Sequence, residues 1–487
     1  CVCVCWRAAT LNVGMATLLD ADCVAVILSF LEGPDALRVS RVHSVWWDAV
    51  QSEWLWRVIS LSRYTLAGFQ AMQGELRSWY DFYRDTLERE IRQGRGRSSD
   101  FKMTALRGHK NFISDCCVVH TRMLVSGDAD GVIRCWDLQE GGRLVHEMQV
   151  AGCPVVQLKV WEQDARTCKA IEEEESEEAQ SSSEAAVAQD SLLLVLLQDG
   201  RLFGYHTTEE GLLEGGEPNL IIQVSEDGDP NIVNENSRMF PCFGKIAVTI
   251  QKLVKVFDLE GRLMCSFTEH EEDVVCVASK VVHQSRMVAT FSKTCIKLWN
   301  LEALRLISVA THDVIAGRRD FHPSSQFLVE VHQESGDVFL SLGAHLYRFD
   351  FQDGILLQVF SPNHELVTCM RSADRRLALG TSSGNLYFLD MNLNLLQTCE
   401  PGKHNQCIHD LQLTDMFALS GSADNSIHVW RRATGKSLYA LLGGSQRRGA
   451  VISHPRKEGC SQVLFSDTSI VGVFGNLIRV YNFQSPG

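Results

Sequence analysis

LVSGDADGVIRCWDL, Leu124 to Leu138, decides the fold, because weaker copies of it recur to the end of the chain. Locally it predicts two short apolar strands, Leu124-Val125 and Ile133 to Trp136, joined by a tight turn at Asp128 to Gly131. A hairpin of this size cannot bury both faces alone. The stretch LSGSADNSIHVW, Leu419 to Trp430, repeats the spacing: Ser420, Asp424 and Trp430 stand where Ser126, Asp130 and Trp136 stand. Each copy follows a His one strand earlier, in Gly108-His109 and in Lys403-His404. A repeat period of this kind outranks every other local signal.

These units resemble the WD repeat of β-propellers. The resemblance implies a hydrogen-bonded tetrad in each well-formed blade, here His109, Ser126, Asp130, Trp136 and His404, Ser420, Asp424, Trp430. Buried imidazole, hydroxyl, carboxylate and indole N–H groups must satisfy one another or cost stability, so we read them as structural pins and not as catalytic groups. From Phe101 onward, third strands end at Trp136-Asp137, Tyr205-His206, Phe257-Asp258, Trp299-Asn300, Phe349-Asp350, Leu389-Asp390, Trp430-Arg431 and Tyr481-Asn482. That makes eight blades, or seven if the degenerate third and last units are not separate. Lys102 to Leu106 would supply the outer strand of the last blade and close the ring. The expected fold is an N-terminal all-α unit with a linker helix, followed by an all-β propeller over 101–487.

The N-terminal part carries a different period. Val24, Ile27, Leu28 and Leu31 recur at helical spacing, and Gly33-Pro34 breaks the pattern before Asp35, a candidate N-cap. Val42, Val45, Trp46, Ala49 and Val50 repeat the one-sided spacing, and Trp54-Leu55-Trp56 closes the segment. The ordered wording from Leu18-Leu19 through Ile27 to Leu31, Leu37 to Val42, Trp46 and Leu55-Trp56 is similar to the F-box. Where that family usually has Pro after the first Leu, this chain has Asp20, a residue that can also cap a helix.

The resemblance implies an F-box at 18–60 that binds a Skp adaptor, and through it a cullin scaffold. The contacting residues would come from Leu18, Leu19, Val24, Ile27, Leu28, Leu31, Leu37, Val42 and Trp46. Residues 61–100 form a helical linker, with Trp79, Phe82, Tyr83 and Leu87 on one face of a helix over 76–93. Residues 1–17 read as a flexible tail.

Composition narrows the function. Of 487 residues 45% are apolar, enough for a large core, and the 17 Cys are scattered through strand patterns without paired metal-ligand spacing. They fit a reducing compartment, the cytoplasm or also the nucleus. No apolar run reaches the length of a membrane span. The net charge of −14 is concentrated: Glu162 to Asp190 holds ten acidic residues against Arg166 and Lys169. That balance argues against nucleic-acid binding. The segment 163–189, containing EEEESEEAQSSSEAA, reads as a disordered acidic loop of the second blade, with Ser176 and Ser181 to Ser183 as candidate phosphorylation sites.

Nucleotide-binding glycine loops, nucleophile elbows and HExxH are absent, so no enzyme activity, cofactor or metal is expected. The channel positions that can be placed are apolar or small, which argues further against catalysis there. Function must lie in binding. Family members that read phosphorylated degrons project arginines from the start of first strands and from the turns between second and third strands. The matching positions here are Ser114, Val275, Thr368 and His409, and Ala129, Lys293, Ser383 and Ala423. Without an arginine cluster, recognition of a doubly phosphorylated segment is not expected, although Lys293, Arg318 and Arg319 could hold one anion. The expectation is a substrate-recognition subunit of a Skp-cullin-F-box ubiquitin ligase. The alternative is a WD-repeat scaffold whose helical cap no longer binds the adaptor.

Overall fold

Residues four apart lie one above the other on a helix, so Val24 and Leu28 share a face. In the computed structural model both are fully buried. The structure describes residues 21–29, 36–38, 44–63 and 78–483, the last span with gaps of which the longest are 162–190, 225–232, 312–326 and 444–458. The tail at 1–17, the acidic insert, Leu18, Leu19, Asp20, Leu31, Val42, Arg318 and Arg319 therefore lie outside the described residues. The chain divides into a helical unit ending at Gln93 and a β unit, Gly94–Gln484.

The helical unit contains α1 (Ala21–Leu28), α2 (Ser44–Val50), α3 (Glu53–Arg63) and α4 (Trp79–Arg95). Its core gathers Val24, Ala25 and Leu28 with Ala49, Val50, Leu55, Trp56, Ile59 and Tyr83. Trp56 can be buried whole because its Nε1–H donates to the Val50 carbonyl at 2.7 Å. Ser78 starts α4 as an N-cap: its Oγ accepts the Asp81 N–H at 3.1 Å. The Glu53 carboxylate accepts the Trp79 N–H at 2.8 Å, placing negative charge at the positive end of that helix. Trp79, Tyr83 and Leu87 of α4 thus belong to the core of the helical unit.

The β unit is eight antiparallel sheets, each a meander, at 113–149, 155–223, 239–267, 274–311, 327–360, 367–398, 408–442 and 462–482. All eight anticipated third strands are third strands, and the degenerate third and last units are blades of their own. The last sheet takes its fourth strand from Lys102–Leu106, which pairs antiparallel with Leu477–Asn482, Thr104 opposite Val480. One core cluster joins Leu106, Ile113 and Leu124 to Val471 and Ile478, so the last blade packs on the first and the ring is closed.

Second strands are the most buried: Met123–Asp128, Val338–Leu342, Phe417–Ser422 and Ser469–Phe474 are buried throughout. Neighbouring blades cover both of their faces, which is why SLLLVLL over Ser191–Leu197 shows no alternation. Gly127, Gly380 and Gly421 sit in such strands where the next blade crosses closely. A Cβ on Gly421 would lie 2.8 Å from Val463 Cγ1 and 2.9 Å from Cys460 Sγ.

Candidate functional site: the pinned face of the propeller

Two blades are pinned by complete tetrads. In blade seven, His404 Nδ1 lies 2.9 Å from Asp424 Oδ2 and Nε2 lies 2.7 Å from Ser420 Oγ, which also accepts the Trp430 Nε1–H at 2.8 Å. Burial alone would raise the Asp424 carboxyl, but hydrogen bonds from His404 and Ser426 outweigh it and hold the group well below the usual carboxylate range. In blade one the same links join His109 to Ser126 at 2.7 Å and Trp136 to Ser126 at 2.9 Å.

The carboxylate there is Asp128, at 2.6 Å from His109 Nδ1, and not Asp130. Turn chemistry explains the correction. Asp128 Oδ1 accepts the N–H groups of Asp130 and Val132, both at 2.9 Å, an Asx-type turn that leaves Oδ2 facing the imidazole. Blade seven has Ser422 at the corresponding place, so its hydroxyl takes the turn N–H and the carboxylate moves to position 424. Asp130 instead meets the exposed Asn111 amide at 3.2 Å.

Blade four holds a third network that the sequence reading missed. His270 Nε2 lies 2.7 Å from Thr290 Oγ1, which accepts the Trp299 Nε1–H at 2.9 Å. No described Asp or Glu bonds the imidazole; its Nδ1 faces the Cys295 thiol at 3.5 Å. Burial, aided by Lys297, pushes this imidazole down to about 4. Thr in place of Ser hid the pattern, although Thr290 precedes Trp299 by nine residues where the other two blades have ten.

The pins hold one end of the propeller, where first strands begin and second-to-third turns lie. Ser114, Val275, Thr368 and His409 are each the extra residue of a first-strand β-bulge. A bulge re-aims a side chain out of the ladder. Ser114 is exposed, and Val275, Thr368 and His409 are half-buried. Thr368 is not a free contact: its Oγ1 donates to the Ile408 carbonyl of the next blade at 2.6 Å. In the turns, Lys293 and Ser383 are exposed, and Ala129 and Ala423 are half-buried. The topology thus gathers these eight positions at one end, with Lys293 the single fixed cation among them.

The channel wall departs from the expectation of apolar and small residues. Asp115 Oδ2 accepts the Leu158 N–H at 2.8 Å, and its Oδ1 accepts from Gln462 Nε2 at 3.0 Å, so one carboxylate ties blade one to blades two and eight. Arg371 lies 3.6 Å from Glu330 and 3.3 Å from Asp410, linking blade six to five and seven. Asp410 also accepts the Val463 N–H at 3.0 Å. Burial pushes the carboxyls of Asp115, Glu330 and Asp410 upward, and it lowers the Lys159 ammonium. These bonds run between neighbouring blades, so the wall acts as a stitch around the ring. Short β-strand signals such as ISDCCVV hide this, because one inward Asp in seven residues looks like a strand-edge polar residue.

On the helical unit, Val24 and Leu28 are both 0% exposed and form its own core, so they are not free to contact an adaptor. Leu37 and Trp46 pack partly against that core, and Ile27 is exposed. Among the described residues of the unit, the large apolar side chains that do face out are Val26, Ile27, Trp47, Trp54, Leu61 and Ile91, between 40% and 53% exposed. Among the described residues no cluster of three or more His, Cys, Asp or Glu could hold a metal ion, and no helix is long and apolar enough to cross a membrane.

The WD domain, G-beta repeat, matches residues 101–137. The crystal structure of the computationally designed Ika8 protein aligns with a TM-score of 0.55 at 18% identity, covering 78% of this chain and 98% of that one. Saccharomyces cerevisiae Sqt1 aligns with a TM-score of 0.55 at 11% identity, covering 78% of this chain and 97% of its own. At those identities the likeness is one of fold. No curated protein sequence matches the chain. The chain carries an eight-bladed propeller with a WD repeat, an architecture suited to protein interaction.

Proposed function

We propose that the protein is the substrate-recognition subunit of a Skp-cullin-F-box ubiquitin ligase. The helical unit docks on the Skp adaptor and the pinned propeller face captures a protein substrate. One observation carries the reading: the helical unit completes its own core and still leaves Val26, Ile27, Trp47, Trp54 and Leu61 facing out. Large apolar side chains left at the surface suit a contact surface, and Trp is enriched among the anchors of such surfaces. The resemblance of the same segment to the F-box supports a Skp adaptor as the partner.

The mechanism is proximity. Tethering raises the effective concentration of substrate lysines near the charged conjugating enzyme, and this chain contributes no bond-making group. A cytoplasmic or nuclear site of action belongs to the same reading. The propeller face has Lys293 and no arginine cluster at the positions described, so an unphosphorylated protein surface suits it better than a doubly phosphorylated one.

The test is co-elution of the full chain with a purified Skp adaptor on size exclusion, beside an Ile27→Asp, Trp47→Ser variant that leaves the core intact. Binding by the parent and at least tenfold weaker binding by a folded variant supports the proposal. Failure of the folded parent to bind makes the chain a WD-repeat scaffold without the ligase connection. Leu28→Asp is unsuitable, since it places a charge in the core of the unit.

A further inference from the structure

Charges that line a propeller channel need partners, and Lys159, on the first strand of blade two, forms no ion pair with any described carboxylate. The channel carboxylates are spent on the wall. Asp115 accepts from the Leu158 N–H and from Gln462, Glu330 accepts the Ser372 N–H at 2.8 Å, and Asp410 accepts the Val463 N–H at 3.0 Å. What remains of Glu330 and Asp410 goes to Arg371. The Lys159 ammonium has three donors, and its one described hydrogen bond runs to the Met239 carbonyl at 3.5 Å, with the Phe240 ring 6.0 Å away. Burial of an ammonium without a counter-ion is costly. Burial lowers this one, and Arg371 of blade six, opposite blade two in a ring of eight, lowers it by more than Asp115 raises it. The Cys276 thiol nearby is pushed upward by burial and stays neutral, so it supplies no counter-charge. Arg371 exposes 46% of its side chain although it is tied to blades five and seven, which leaves the channel beside it open to a small solute.

We propose that the channel binds a small oxyanion of the phosphate class, held between Lys159 of blade two and Arg371 of blade six. Donors remain on both cations. Arg371 gives its Nε–H to the Leu411 carbonyl at 3.1 Å and one side of each Nη to Glu330 and Asp410, and a guanidinium has five N–H groups. Gln157 stands two residues before Lys159 and so on the same strand face. Its Oε1 accepts the Met239 N–H at 2.6 Å, which leaves its amide N–H groups as further donors. Phosphate oxygens can accept from all three side chains at once, and charge-assisted bonds of this kind are the strong ones. The anion gives Lys159 the counter-charge that burial demands, and it cross-braces two blades that no strand pairing joins. Such a site belongs to the propeller alone and stands independently of adaptor binding.

The experiment is isothermal titration calorimetry of the full chain with inorganic phosphate, at ionic strength held constant with chloride, beside Lys159→Met and Lys293→Met variants. Met keeps the length of the Lys stem without its charge. The expected result is saturable phosphate binding by the parent and by Lys293→Met, weaker by roughly tenfold or more in Lys159→Met. Phosphate should also raise the Tm of the parent and leave that of Lys159→Met unmoved. The proposal is overturned if the parent shows no saturable binding, or if folded Lys159→Met binds as the parent does. Loss of binding in Lys293→Met with binding kept in Lys159→Met overturns it as well, because the anion then sits at the pinned end. Lys159→Gln, uncharged but polar, is the second variant should the first not fold, and it must show the same loss.

Discussion

Asp128 and Asp130 stand two positions apart in one turn, yet only Asp128 has both oxygens occupied by groups that nothing else can satisfy. Asp128 is 1% exposed and holds a buried imidazole together with two turn N–H groups. Replacing it with Asn puts an amide where His109 meets a carboxylate, and we expect a loss of about 2–3 kcal/mol. Asp130→Asn, at an exposed position, should stay within about 0.5 kcal/mol. Urea denaturation of the two variants side by side decides the assignment; equal losses would restore Asp130 to the tetrad. The sequence SGDAD offers two carboxylates at plausible spacing, and only the geometry of the turn chooses between them. Blade four was hidden for a related reason: a Thr performs the role that pattern matching assigns to Ser, and no described Asp meets the imidazole.

At the scale of the element, the second strands show how much of a blade depends on what a residue lacks. Gly421 lies where Val463 and Cys460 of the next blade approach, so Gly421→Ala forces the neighbouring strand outward. Overpacking of this kind costs about 1–3 kcal/mol, and a lower Tm with an unchanged circular dichroism spectrum is the expected result. An unchanged Tm would mean that blades seven and eight are less closely packed than described.

The strands themselves were legible because third strands end on an aromatic or Leu followed by a polar residue, and the turns between strands carry Gly, Asp and Asn. Helix faces were legible only in part. The spacing of Val24, Ile27 and Leu28 shows a one-sided helix, but periodicity does not say whether a face meets its own core or a partner. Val24 and Leu28 turned inward toward Ala49, Val50 and Trp56, and Ile27 outward. The charged channel wall escaped for a similar reason, since its carboxylates find partners on strands far away in sequence.

Acid should weaken the whole molecule through its buried histidines. Burial pushes His270 and His428 down to about 4, and lowers His109 as well despite Asp128. In the unfolded chain these rings take up protons near pH 6.5. Their contribution is therefore fully present above about pH 6.5 and is lost as pH falls toward about 4. The channel carboxyls of Asp115, Glu330 and Asp410 are raised and act in the opposite sense, gaining stability as pH falls through their values. Thermal unfolding at steps between pH 7 and 4.5 should show a falling Tm, with a shallower fall in His428→Gln. A fall of the same steepness in that variant would place the proton uptake elsewhere.

The pairing of Lys102–Leu106 with Leu477–Asn482 sets a limit on biosynthesis. The strand made first waits, with its hydrogen-bonding edge uncovered, until the strand made last leaves the ribosome. At the usual 5–20 residues per second, that wait is on the order of tens of seconds. During it, seven blades can form locally while the circle stays open at both ends, each end a template for wrong pairing. A chain cut short before residue 477 would keep most of its blades and never close, and quality control would meet it as an exposed sheet edge.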